Sequence, residues 1–421
     1  MNRLARASKS ELQIGEEGWL RLGLLSGSED CHSRDPLTMD NNETHPRELG
    51  ADHVPFGQGK PLRSAMSTRE NSLTVENCEA VDPMKSHSQS PRLTELTTGG
   101  GCSCKIPAAE LEALLADAFG EKAVNASLGV NAHLLCGIEF GDDAAVVQME
   151  NGATIVTTTD FFPPVVDDPF QWGRIAAANA LSDVYAMGGE PIVALNLLAW
   201  PVDRLSYDIA AEVLRGGREI AVEASCLVGG GHSIQATTPF YGLAVTGLVE
   251  PERLLRNDAA VPGDAISLTK PLGLGFLNNR HKVTGEIFTE AIETMAKLNK
   301  DAAHAAVAAG ARAATDVTGF GLLGHLFKMA RASGVTAIVN ADDVPYLDGA
   351  QRALDEGFIP GGSIRNLSWI RPRLISERSD RDLLSLADAQ TSGGLLVARE
   401  LPNNPVIGEF VSYRGAELIV R

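Results

Sequence analysis

The residues best suited to chemistry sit in one short loop, Gly99-Gly100-Gly101-Cys102-Ser103-Cys104-Lys105. Three glycines predict a mobile loop. Two thiols stand beside an ammonium, and a nearby cation lowers a thiol's pKa and favours the nucleophilic thiolate. The alternative is a Cys-x-Cys metal site, or inert thiols. A metal site would need two further ligands at suitable spacing, and the sequence offers no second Cys/His pair.

Aspartates form the second cluster: Asp142-Asp143, Asp160 at the end of a Thr-rich strand, Asp183 inside a helix, and Asp316 ahead of Val317-Thr318-Gly319-Phe320-Gly321. Asn179 lies four residues before Asp183, on the same helical face. Hard carboxylates without matching basic neighbours suit Mg²⁺ bound to phosphate. Each one alone could equally be a cap or a turn residue, and Asp316 could cap the following helix. A third segment, Gly229-Gly230-Gly231-His232-Ser233, has successive backbone N–H groups that could cradle a phosphate. It is neither a Walker A loop nor a complete G-x-G-x-x-G. His232 is either a phosphate donor or a packed polar group. Thr269–Gly273, Pro360–Gly362 and Gln390–Leu395 read as tight turns.

These residues need elements to hold them. Apolar periodicity predicts helices over Ala108–Phe119, Gly173–Met187, Ser206–Ala224, Glu286–Leu298, Lys300–Ala309 and Leu322–Ala332. Strands are expected at Ala144–Gln148 and Thr154–Thr159, joined through Asn151-Gly152. Further strands are expected at Tyr241–Val249, Ala265–Thr269 and Ile192–Ala199, the last as a buried one. Polar Arg253–Gly263 marks a boundary. Strands mixed with helices, without a long βαβ repeat, imply α+β in each half. The expected division is 1–95 as a disordered extension, 96–255 as one domain and 256–421 as a second. Met66 and Met84 are alternative starts within the extension.

Composition limits the function. The 421 residues carry 36 Lys+Arg against 54 Asp+Glu, a formal charge of −18. A nucleic-acid binder held by general electrostatics is therefore not expected. No apolar run reaches the roughly 18 residues of a membrane helix, and no signal peptide is visible. Six cysteines in so long a chain read as cytosolic thiols.

The loop, together with Gly-Asp-Asp-Ala-Ala, Thr-Thr-Asp-Phe-Phe, Asn-Ala-Leu-Ser-Asp-Val-Tyr-Ala-Met-Gly-Gly, Gly-Gly-His-Ser-Ile, Thr-Asp-Val-Thr-Gly-Phe-Gly-Leu-Leu-Gly-His and Gln-Thr-Ser-Gly-Gly-Leu, resembles the selenophosphate synthetase (selenide, water dikinase) family. The motifs run in order from about residue 97 to the C-terminus. The resemblance implies an aminoimidazole-ribonucleotide-synthetase-like fold: a ferredoxin-like N-terminal domain, an α+β C-terminal domain, and a homodimer formed through the N-terminal domains. It implies ATP-dependent conversion of selenide and water to selenophosphate, AMP and orthophosphate, with Mg²⁺, in the cytoplasm. The product would supply selenocysteine or selenouridine, and a selenium-delivery protein is a possible partner. Cys102 and Lys105 match the catalytic pair. Asp143, Asp183 and Asp316 match metal ligands. Lys105, Asp160, Asp183, Gly231, His232 and Ser233 match ATP contacts. The role of Cys104 is left open. The Gly-rich loop is expected to be disordered until nucleotide binds.

Two departures stand out. Thr98 occupies a place often held by His, and the stretch after Leu396 is short, which predicts exposed apolar surface there. Other enzymes of this fold, such as thiamine-monophosphate kinase, share the aspartates but lack the Gly-Cys-x-Cys-Lys loop. A non-catalytic nucleotide- or selenium-binding protein and a thiol metal chaperone are the remaining readings.

Overall fold

Eighteen residues of helix form the axis of the N-terminal half, and their burial explains most of its architecture. The computed structural model describes residues 92–119, 132–137 and 141–421. Residues 1–91 of the expected extension lie outside the described residues. Along the chain come α1 (Ala108–Phe119), β1 (Ala132–Cys136), β2 (Ala145–Met149), β3 (Thr154–Phe162), α2 (Pro169–Ala186), β4 (Glu190–Trp200), α3 (Tyr207–Glu223), β5 (Leu227–Gln235) and β6 (Phe240–Leu248). The sheet order is β1-β2-β3-β6-β4-β5. Only the β4–β5 pair is parallel.

α2 starts four residues before its expected boundary. Asp168 caps it by accepting the Gln171 N–H at 2.9 Å, and Pro169 occupies the first turn, where a missing N–H costs nothing. From Trp172 to Ala186 only Arg174 escapes burial. A helix apolar on nearly every side belongs inside. Glycine lets it approach α3: a Cβ on Gly173 would lie 2.0 Å from Val213 O, and one on Gly216 2.0 Å from Phe170 O. β3 alternates, with Val156, Thr158, Asp160 and Phe162 on the α2 side. β4 is buried only at Pro191, Ala194 and Trp200, so it is not the fully buried strand expected: Ile192 and Leu195 are exposed. Gly229–Ser233, expected as a possible phosphate cradle, is extended. It is part of β5, an edge strand exposed along its length and held by pairing with β4.

The C-terminal half adds β7 (Ala265–Leu268), α4 (Leu274–Thr284), α5 (Thr289–Ala296), α6 (Lys300–Ala308), β8 (Ala314–Asp316), α7 (Gly321–Ser333), β9 (Val335–Val339), α8 (Ala350–Asp355), α9 (Gly361–Ile370), β10 (Leu374–Ser376), α10 (Asp380–Leu386), β11 (Leu395–Val397), β12 (Val406–Ser412) and β13 (Leu418–Val420). Its sheet runs β10-β13-β9-β12-β7-β11-β8 and mixes parallel with antiparallel pairs. The whole is α+β, as the residue patterns imply. α5 is shorter than expected because the chain turns before it: Thr284 Oγ1 accepts the Glu286 N–H at 3.1 Å. The short stretch after Leu396 does not leave the predicted apolar patch. β11 and β12 sit inside the sheet, and of the large apolar residues from 396 onward only Val406 and Tyr413 are exposed.

One core cluster runs through both halves, from Val156 and Leu181 to Leu274 and Leu395. Residues 92–96 join it. Leu93 and Leu96 are buried, and Asp167 accepts from Arg92 Nε at 2.5 Å and from the Thr94 N–H at 2.9 Å. Arg92 also donates to His281 O on α4. The segment expected to end the extension is thus folded from Arg92 onward.

Gly173→Ala should lower the unfolding free energy by about 1–3 kcal/mol, because two helix backbones must part to admit one methyl. Urea denaturation checks this: an unchanged midpoint would mean that the α2–α3 contact is softer than its spacing indicates.

Candidate functional site

Two residues on one face of α2 organise the cleft between the halves. Asn179 and Asp183, one turn apart, are both buried. Asn179 Nδ2 donates to Asp160 Oδ2 on β3 at 2.7 Å, and its Oδ1 accepts the Ser392 N–H at 3.0 Å. One side chain therefore ties an aspartate of the N-terminal sheet to the Gln-Thr-Ser-Gly-Gly segment of the C-terminal half. Asp183 Oδ2 accepts from Thr158 Oγ1 at 2.6 Å. Thr158 and Asp160 share a face because strand side chains alternate.

Asp316 ends β8 and does not cap α7, whose N-cap is Phe320. It accepts a hydrogen bond from the Ser182 hydroxyl, whose oxygen itself accepts from Asn299 Nδ2 at 2.8 Å. Asp143 Oδ1 accepts from Thr315 Oγ1 at 2.9 Å. His325 Nε2 accepts the Thr318 N–H at 3.1 Å, so its N–H is on Nδ1, 3.4 Å from Thr315 Oγ1. Burial keeps this imidazole neutral, its pKa far below the usual range. Asp143 Oδ2 and Asp316 Oδ2 are buried with no hydrogen-bond partner among the described residues.

The carboxyls of Asp143, Asp183 and Asp316 are all pushed up. Desolvation is the main cause in each. Repulsion from Asp316 adds to it for Asp143 and Asp183, and Asp160 adds further to Asp183 and Asp316. Asp142 has a different job. It accepts the Asn257 N–H at 2.8 Å and so fastens the inter-sheet linker.

The Gly99–Lys105 loop is a folded turn docked over this cleft. Cys102 lies in its 3-10 segment Gly101–Cys104, and the side chain of Cys102 lies outside the described residues. Gly101 has φ +56, and a Cβ there would lie 2.2 Å from Thr391 Oγ1. Only glycine fits between the turn and the Thr391 segment. Ser103 Oγ closes the turn onto Gly100 O at 2.6 Å. Lys105 Nζ reaches Asp160 Oδ2 at 3.4 Å. Cys104 does not follow the expectation of a cation-lowered thiol: desolvation raises its pKa despite opposing fields from Lys282 and Arg365.

Gly231, His232 and Ser233 are not in the cleft. Asp160, Leu243, Asn196 and Gly231 stand in one register row across β3, β6, β4 and β5. Three strand spacings put Gly231 about 14 Å from Asp160. Thr158, Ser182, Thr315 and His325 were not singled out from the sequence. For Thr158 the signal was there, two residues before Asp160 on an alternating strand. For Thr315 only the folded contact to Asp143 reveals it, and for His325 only its contacts to Thr315 and Thr318.

The AIR synthase related protein N-terminal domain family matches residues 141–249, and its C-terminal domain family matches 261–417. Selenide, water dikinase of Yersinia pseudotuberculosis is 47% identical over 310 residues, covering 73% of this chain and 87% of that protein. The Bordetella bronchiseptica protein of the same name is 48% identical over 313 residues, covering 73% and 88%. The chain belongs to the selenide, water dikinase family. The crystal structure of thiamine monophosphate kinase from Aquifex aeolicus superposes with a TM-score of 0.53 at 18% identity, over 75% of this chain and 98% of that one. That likeness concerns the fold alone.

Folding raises the Asp316 carboxyl from 3.8 to about 6. Between those values the folded protein keeps a proton that the unfolded chain has released. This group's contribution is therefore complete below about pH 4 and is lost as pH rises through 6. Asp316→Asn should make the protein without nucleotide more stable than wild type at pH 8, by on the order of 2–3 kcal/mol, with little difference at pH 4. Urea midpoints at the two pH values test it; a variant less stable at pH 8 would mean that Asp316 is not strained in the fold.

Proposed function

We propose that the acidic cleft binds ATP for the family's reaction, synthesis of selenophosphate from selenide and water with release of AMP and orthophosphate. The observation that carries this is the convergence of Asp143, Asp183 and Asp316 beneath the turn that bears Cys102 and Lys105. Splitting a triphosphate twice requires neutralisation along its whole length. The unpartnered oxygens of Asp143 and Asp316 fit a divalent cation. Among the described residues no three His, Cys, Asp or Glu side chains form a complete metal site. This suits Mg²⁺, which takes one or two carboxylates and completes its shell with phosphate oxygens and water. Asp143, Asp183 and Asp316 would hold such ions one or two carboxylates at a time, and when bound they would supply charge neutralisation at the phosphates.

The chain's own groups do the rest. Lys105, now on Asp160, turns its ammonium to a phosphate. Asn179 keeps Asp160 in place and couples it to the C-terminal half. Thr158, Ser182 and Thr315 each fix one carboxylate oxygen and leave the other for the ligand. The docked turn covers the phosphates against water, and Cys102 handles the selenium nucleophile. Residues 96–255 act as the ATP-binding and dimerisation domain and 256–421 as its C-terminal partner. Phe161, Ile192, Leu195 and Ile234 form an uncovered apolar sheet face, which supports a homodimer through that sheet. Gly231, His232 and Ser233 contact the nucleotide end remote from the phosphates. Cys104, Cys136 and Cys226 are free thiols, which accords with a cytoplasmic location. No helix among the described residues is long and apolar enough to cross a membrane.

Anaerobic incubation with Mg·ATP and selenide, followed by phosphorus NMR, is the test. Selenophosphate and AMP should appear only with selenide; ATP consumption unchanged by selenide would overturn the reading. Cys102→Ser should abolish selenophosphate while keeping nucleotide affinity within about threefold, whereas Asp183→Ala should weaken Mg-dependent ATP binding by about tenfold or more. Equal ATP affinity in the Asp183 variant would remove it from the metal set. Leu195→Asp should shift the sedimentation coefficient from dimer to monomer; a wild-type monomer at micromolar concentration would exclude the dimer.

A further inference from the structure

The turn that covers the acidic cleft has a second side. There it borders a separate cavity of about 330 Å³, lined along α4 from Gly275 to Lys282 and by the start of α9. Cys104 and Thr98 reach it from the loop, Asn278, Asn279 and Lys282 from α4, and Arg365 from α9. Among the described residues no aspartate, glutamate or histidine lines it. In a chain with 54 acidic and 36 basic side chains, a cavity with two cations and no carboxylate stands apart.

Both cations are positioned and neither is saturated. Lys282 Nζ donates to Thr97 O at 2.7 Å, and Arg365 donates to Ser103 O at 3.4 Å. Each keeps further N–H donors. The Cys104 thiol feels the field of both. The start of α4 adds nothing for an anion, because Gln390 and Asp388 already accept the Leu274 and Gly275 N–H groups.

The reaction brings together two anions, a triphosphate and selenide, which is the monoanion hydroselenide at neutral pH. Aspartates would repel hydroselenide from the metal side of the turn. We propose that this cavity is the selenium substrate's binding site. Hydroselenide, whether it arrives free or is handed over by a delivery protein, is held against Lys282 and Arg365 beside Cys104. The inference rests on the selenophosphate reading above. The turn then divides two compartments of opposite charge, each suited to one reactant, and only the turn separates the selenium from the phosphates.

Steady-state kinetics of Arg365→Gln and Lys282→Gln, with selenide and ATP varied separately, test this. The KM for selenide should rise about tenfold or more in each, with the KM for ATP within twofold, and Arg365→Lys should recover part of the loss. Iodide, a soft monoanion of similar size, should inhibit wild type competitively against selenide but not against ATP, and Arg365→Gln should blunt that inhibition. A selenide KM that stays put overturns the inference. So does a rise in the ATP KM matching the rise for selenide, which would mean that the two cations only brace the turn. Arg365 is exposed, so its variants should fold. If wild type makes no selenophosphate, the functional reading itself fails, a result distinct from turnover with unchanged selenide KM.

Discussion

Like charges held together away from water repel strongly, and the junction of this protein is built around Asp143, Asp183 and Asp316 doing that. Two carboxylates about 5 Å apart repel by roughly 3 kcal/mol at an effective dielectric of 20. Burial adds its own penalty. The fold bears this load by rigidity. α2 is enclosed on nearly every side, β8 lies inside its half, and hydroxyls of Thr158, Ser182 and Thr315 each bond one carboxylate. A softer frame would let the aspartates turn away to water. What remains is an anionic cleft short of positive charge, which is what a cation bridged to phosphate can relieve.

Other carboxylates in the same region are spent on structure. Asp142 fastens the linker. Asp388 accepts from Gly275, Ser363 and Gln390 and so ties three segments of the C-terminal half. Asp167 gathers Arg92 and Thr94 beside His281, and although burial opposes them, these neighbours hold its pKa below the ordinary range. Each of these three accepts more than one donor or fixes a neighbouring backbone N–H. Asp143 and Asp316, like Asp142, each keep an oxygen that nothing in the described fold uses, but their other oxygen is held by a side-chain hydroxyl and that of Asp142 by the linker N–H.

Much of this was readable from residue types. α1 is found at its expected limits, and the start of β3 was set by its Thr-rich alternation. The aspartates were recognisable as a set because strand ends and a mid-helix position are poor places for caps. What the sequence hid is tertiary. β4 looked buried because every residue from Ile192 to Leu195 is apolar, yet among the described residues no layer covers one face of its sheet. Gly229–Ser233 gave no strand signal because glycine disfavours strands, but hydrogen bonds to β4 outweigh that preference. The role of Thr315 depends on Asp143, 172 residues away in sequence, and no local pattern encodes such a contact. The cation-lined cavity was equally hidden, since its charges come from three separated segments.

The glycine-rich edge of the N-terminal sheet has a bearing on how the protein behaves when crowded. An exposed edge strand invites other chains to add to it, and sticky β-branched residues would make it indiscriminate. Gly230 and Gly231 have φ of +135 and +152, far from the pleated geometry that an incoming strand could copy. The ladder to β4 also shifts register between Ala194 and Asn196. The edge is therefore a poor template for misassembly, so the protein can leave it uncovered without a heavy risk of aggregation.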